Sequence, residues 1–413
     1  MEKIIIFIII IIFFMNVFGE LREAYEWKQV TFLWPSDSVR RSAIRNGEYI
    51  PENNMPMGLA RWHNKMFITL PRWKRGVAAT LTYINMQSSK KSPTLIPYPS
   101  FESNRIPNGR NIKDDVIIST FRVQVDVCDR LWVIDSGSFD FFNNTKQVSP
   151  PSILIFDLNT DTLLRKYYLA DGDVACDGSS VIPDIIVDVT RNTCNQAFAY
   201  LPDLGGYGLI VYSFAENRSW RISHNFFHMD PNEGDLWIGG INIQWNDGIF
   251  GVALGDTNAR GFRKVYFHSM ISTHEYSVSS EVLRNETMAT SSNNYNLFKH
   301  EGNRGRRSQA SPSDYDRETS VLFMNQLQKD AIACWNTNKK LDENSFTLIE
   351  QDHERLEFIN DIYIDQNRNL WVLSDRMTKF LYGNLNPNDV NYRILYTTVD
   401  RAIRGTSCEY NRL

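Results

Sequence analysis

The sequence predicts an all-β fold, a six-bladed β-propeller whose ring is closed by an N-terminal strand. Three observations predict it. A local pattern repeats: residues 126–137 read DVCDRLWVIDSG, and a near copy, DQNRNLWVLSDR, stands far downstream at 365–376. Weaker copies occupy 62–71, 188–203, 244–256 and 326–337, which makes six. Each places a large apolar residue (Phe67, Trp132, Phe198, Phe250, Ile332 or Trp371) just after a polar turn. Second, short alternating runs separated by Gly, Asn and Asp turns read as about four strands per repeat. Third, aromatics make up 13% of the chain, which suits sheets packed face to face. Sheets that need cover on both faces find it when stacked radially in a ring. A β-helix is the alternative, but its repeats are shorter and more uniform.

The elements follow in order. Lys3 precedes an apolar run at 4–15, and Val17 and Gly19 are small residues near a cleavage point. Residues 1–19 therefore read as a secretory signal peptide, too short in its apolar run to span a bilayer comfortably. Residues 20–413 form a single propeller domain. The run 25–34 (YEWKQVTFLW) is a strand without a hairpin partner, and it completes the last blade. One helical turn is expected at 38–45. Repeat one spans 57–86. Repeat two begins near Phe121 and ends with strands at 153–158 and 163–169. Repeat three begins near Asp184 and continues through 208–214 and 219–222. Repeat four begins near Gly240 and includes 263–267. The polar segment 277–307 reads as an exposed excursion. Repeats five and six span 320–349 and 358–396.

Charge and cysteines narrow the class. With 44 basic and 48 acidic residues the formal charge is −4, so nothing favours a nucleic-acid partner. The basic run RGRR at 304–307 reads as a solvated loop. No later stretch is apolar enough to cross a membrane once the leader is removed. Sequons at Asn143, Asn217 and Asn285 offer glycosylation sites. Cys128 and Cys194 each lie four residues before the large apolar residue of their repeat, so they pair across consecutive blades. Cys334 and Cys408 then tie repeat five to the C-terminal tail, and Cys176 is left over.

A propeller's innermost strands line an axial channel, and their first residues gather at one mouth. Here these are 57–58, 121–122, 183–184, 240–242, 322–323 and 360–361. The polar groups on that list are Arg122, Asp184, Asn242, Asn360 and Asp361. Amides and carboxylates facing one channel suit a ligand ammonium group. They also suit Ca²⁺, although Asn and Asp favour strand ends for backbone reasons too. No HExxH, GxSxG or zinc-type cysteine spacing occurs, and no cofactor or resident metal is expected. A base and a cation suffice for a proton-transfer isomerisation, and Asp184 with Arg122 would supply them.

Ordered phrases also carry a likeness. They include EWKQVTF from Glu26, NGEYIPENNMPMG from Asn46, LPRWKRGVAATLTYINM from Leu70 and VDVCDRLWVIDSG from Val125. GYGLIVYSFAENRSWRI from Gly206, GINIQWNDGIFGVALG from Gly240, AIACWN from Ala331 and NRNLWVLSDRM from Asn367 continue them. The mature sequence resembles the insect yellow and major royal jelly protein family throughout. That resemblance implies a secreted six-bladed propeller linked to cuticle pigmentation and melanisation, probing one of two activities. One is binding of a small aromatic amine or catechol in the central channel, as in salivary relatives. The other is dopachrome conversion. It further implies that Asn336, in the CWN motif, and its neighbour Asn338 are ligand candidates. A monomer is expected.

Overall fold

In the computed structural model, residues 21–107, 112–175 and 177–409 are described. Residues 1–19, expected to be a signal peptide, and Cys176 lie outside the described residues. Six four-stranded antiparallel sheets succeed one another along the chain. Blade one comprises Gly58–Trp62, Lys65–Thr69, Leu81–Asn85 and Ile96–Pro97. Blade two comprises Thr120–Val125, Arg130–Asp135, Ser152–Asp157 and Thr162–Tyr168, and blade three Ile186–Asp188, Phe198–Asp203, Gly208–Ser213 and Arg218–Ser223. Blade six runs outward through Ile359–Ile364, Asn369–Ser374 and Tyr392–Thr398. Its outermost strand is the N-terminal Arg22–Trp27, paired antiparallel with Tyr392–Thr398, so the two ends of the chain share one sheet.

The organising pattern of the sequence has a structural cause. In the turn before Arg130–Asp135, Asp126 accepts the Trp132 indole N–H at 2.7 Å and the Arg130 Nε–H at 2.7 Å. Its other oxygen accepts the backbone N–H groups of Cys128 and Arg130. Asp365 does the same for Trp371 (2.9 Å) and for the N–H groups of Asn367 and Asn369. One carboxylate thus fixes both the turn and the tryptophan that follows it. Asp129 and Arg368 take the left-handed conformation (φ 58° in each) that closes these turns.

Alternation of side chains across each strand explains the inter-blade cores. Every residue of Arg130–Asp135 is buried. Leu131 and Val133 pack with Phe67, Leu81 and Tyr98 of blade one. Trp132 and Ile134 pack with Ile185, Val187 and Ala199 of blade three. A strand buried on both faces needs apolar residues at every position, which is why these runs are continuous rather than alternating.

Blades four and five depart from the expected register. Blade four is Ile249–Thr257, Arg263–Ser269, His274–Ser279 and Phe298–Asn303. Hence 277–307 is no excursion: it supplies much of the two outer strands, with the short helices Ser280–Leu283 and Glu286–Ala289 between them. The segment from Gly240 belongs instead to a separate hairpin, Asp235–Ile238 with Ile241–Gln244. Blade five starts earlier, at Ser313–Asp316, followed by Val321–Gln326, Ala331–Asn336 and Phe346–Gln351. Phe250 and Ile332 therefore lie on a first and a third strand, whereas Phe67, Trp132, Phe198 and Trp371 lie on second strands. Polar strands such as SDYD and FKHEGN carry too few apolar residues to announce themselves.

A helix is present at Asp37–Arg45, capped by the Ser36 hydroxyl. Among the described residues two disulfides are formed, Cys128–Cys194 between turns of blades two and three and Cys334–Cys408 between blade five and the tail.

Candidate ligand site on the propeller axis

The innermost strands run from one face of the ring toward the other, so successive residues mark depth along the axis. Near their starts, Arg122 crosses the channel. Its side chain is buried, with Nη1 at 3.1 Å from Asp184 and Nε at 3.4 Å from Asp361. Nη2 donates to the Asn360 carbonyl. The guanidinium also lies 4.7 Å from the centre of the Phe250 ring. Gly58 is required here: a Cβ would stand 2.9 Å from Arg122 Cγ and 2.9 Å from Thr69 Oγ1. The stem of Arg122 passes through the space that a side chain would fill.

This neck brings together Arg122, Asp184, Asn360 and Asp361. Burial raises Asp361 to about 7, with Arg122 opposing the shift and Asp184 adding to it. Asp184 is raised by burial, with Arg122 opposing. Beyond the neck a small vestibule of about 90 Å³ is lined by residues of all six innermost strands or their ends, including Asp314, which burial raises to about 6. Arg122 and Asp184 neutralise each other, so the pair expected to act as base and cation is committed to closing the channel.

Three other candidates lie off the axis. Asn242 is exposed on the separate hairpin, where its amide donates to Asp235 at 2.6 Å. Asn336 is on the third strand of blade five, because Val321–Gln326 is the second strand rather than the first. Its amide faces the Cys408 carbonyl at 3.4 Å. Asn338, exposed, donates its backbone N–H to Asn336 Oδ1. Asn336 thus helps anchor the C-terminal tail.

On the other side of the neck lies a chamber of about 300 Å³. Its walls carry Trp73, Phe121, Trp245, Phe250 and Phe358, with Met270 and Met377. The helix Met377–Tyr382 and the loop carrying Phe141 and Phe142 rise around it. Arg72 anchors the wall: fully buried, it donates to the carbonyls of Val77, Ile117, Ile118 and Asn104. Burial lowers its guanidinium to about 10, so it stays charged at neutral pH. Among the described lining residues Asp247 is the one carboxylate. Burial raises it to about 7, with the Trp245 side chain opposing the shift. The sequence alone does not single out Asp247, because WNDG reads as an ordinary turn. Its one signal is Trp245, two residues before it. Among the described residues, no group of three or more His, Cys, Asp or Glu side chains is placed to hold a metal ion.

Fold and cavity define a single-chain, six-bladed propeller with a plugged axis and an aromatic chamber on one face. The chain belongs to the major royal jelly protein family, whose model matches residues 118–408. It is 38% identical to Protein yellow of Drosophila melanogaster over 393 residues, covering 94% of this chain and 71% of that protein. It is 39% identical to Protein yellow of Drosophila subobscura, covering 94% of this chain and 67% of that protein. Among solved structures, a luciferin-regenerating enzyme overlaps with a TM-score of 0.47 at 11% identity, over 85% of this chain and 92% of that one.

Proposed function

We propose that this yellow-type protein is secreted and acts in cuticle pigmentation by holding a small aromatic amine or catechol in the chamber above the neck. The observation that carries the reading is the pairing of aromatic walls with one half-buried carboxylate, Asp247, whose desolvation raises its pKa. Rings offer stacking and edge contacts to a flat ligand, and a desolvated carboxylate is a strong partner for an ammonium group or a catechol hydroxyl. Family membership supports the pigment role. The two disulfides support an oxidising, extracellular setting. No helix among the described residues is long and apolar enough to cross a membrane. Glycans at Asn143, Asn217 and Asn285 fit the same setting, since all three side chains stand exposed in turns or at a helix start. Calorimetry with dopamine and serotonin tests the ligand. Binding is expected, weakened at least ~10-fold by Asp247→Ala. No heat at millimolar ligand would remove the chamber from the account.

A second reading, dopachrome conversion, is favoured by the same carboxylate. A base near 7 is matched to proton transfer at neutral pH. Decay of dopachrome absorbance decides it: a rate equal to that in buffer eliminates the enzyme and leaves the binding protein.

A further inference from the structure

The chamber does not end at its walls. Phe141 and Phe142 stand at its rim, 41% and 50% exposed, and Tyr382 stands there 56% exposed. Exposed aromatics of this size are costly to leave in water, and here they adjoin a cavity rather than lying scattered. From the rim inward the rings form an unbroken series. Phe141 meets Phe142 at 5.1 Å between centroids, Phe142 meets Trp73 at 5.2 Å, Trp73 meets Phe121 at 5.0 Å and Phe121 meets Phe250 at 6.2 Å. All four contacts are edge-to-face. Each ring therefore turns a π-face or an edge away from its neighbour, where a ligand ring can meet it. The series ends on Phe250, whose ring carries the Arg122 guanidinium at 4.7 Å from its centre. A single ring would fill only part of a 300 Å³ chamber.

We infer that the site is built for an elongated ligand of two or more joined aromatic rings, with one ring in the chamber and the next on an outer subsite formed by Phe141, Phe142 and Tyr382. The inference rests on the chamber being the ligand site and specifies the preferred class of ligand: ring oligomers over the ring monomers that the inner chamber also takes. Edge-to-face partners at the rim convert the second ring from a solvated appendage into a buried one. Selectivity then comes from length, whereas Asp247 and the inner walls serve short and long ligands alike.

The test uses two amines that differ by one ring, phenethylamine and 2-(4-biphenylyl)ethylamine, titrated calorimetrically into the full-length mature protein. The biphenyl compound is expected to bind ~10-fold or more tightly. In a Phe141→Ala/Phe142→Ala double variant the ratio of the two affinities should collapse to about 2 or less. Both side chains are half exposed, so the variant keeps its core. Thermal unfolding at the wild-type temperature confirms that. A ratio that persists in the variant overturns the outer subsite, since the extra ring then gains only general burial. Equal affinities in the wild type overturn it as well, while leaving single-ring binding intact. If neither amine binds, the chamber reading and this inference fall together.

Discussion

At the scale of single residues, the account turns on Asp247. Its pKa in the folded protein is about 7, raised by burial from an ordinary value of 3.8. The native state therefore binds this proton more tightly than the unfolded chain does, and stability from this group falls as pH rises between those two values. Asp247→Asn cannot ionise. It should unfold at a higher temperature than the wild type at about pH 8, and differential scanning calorimetry should show the gap closing toward pH 4. Equal unfolding temperatures across that range would mean that Asp247 is solvated. The same titration acts on binding: a cationic amine loses its counter-ion below about pH 7, so its affinity should drop from pH 8 to pH 6, whereas a neutral catechol's should not. Sequence alone led to the neck residues Arg122, Asp184 and Asp361, because strand starts can be counted. It could not show that Arg122 is shared between these two carboxylates, nor that a turn aspartate in WNDG is folded against aromatic walls. Both facts come from packing between blades distant in sequence.

At the scale of elements, the Asp–Trp clasp is the unit that the sequence repeats. Asp126 serves four donors from a buried position, and removing it strands the Trp132 indole N–H and the Arg130 guanidinium. Asp126→Ala should cost about 2–4 kcal/mol in urea unfolding. A loss below about 1 kcal/mol would show that water replaces the carboxylate there. The clasp was legible because its spacing is fixed by a tight turn followed by a strand. Blades four and five were legible only as existing, not in register. The first strand of blade five, SDYD, is short and polar, and the outer strands of blade four are interleaved with helices. The hairpin 235–244 has strand-like alternation of its own and so imitates the start of a blade. The expectation for Asn242 rested on that register, whereas Asn336 and Asn338 came from the family resemblance and stand on and just after the third strand of blade five.

At the scale of the molecule, the ring depends on its seam. Arg22–Trp27 satisfies the outer edge of Tyr392–Thr398, and Trp27 is buried with its indole N–H on the Pro93 carbonyl at 2.8 Å. Deleting residues 21–27 should expose that edge and part of the core, producing aggregates in size-exclusion chromatography and a broadened thermal transition. A sharp, unchanged transition would show that blade six stands without its fourth strand. The closed ring is what aims side chains from the inner ends of blades two to six at one axial chamber, and the neck is what makes that chamber blind. The most direct measurement is a crystal structure of the protein soaked with dopamine. The account predicts ring density among Trp73, Trp245 and Phe250 with the ammonium group beside Asp247. Density in the vestibule beyond Arg122, or an empty chamber at saturating ligand, would contradict it.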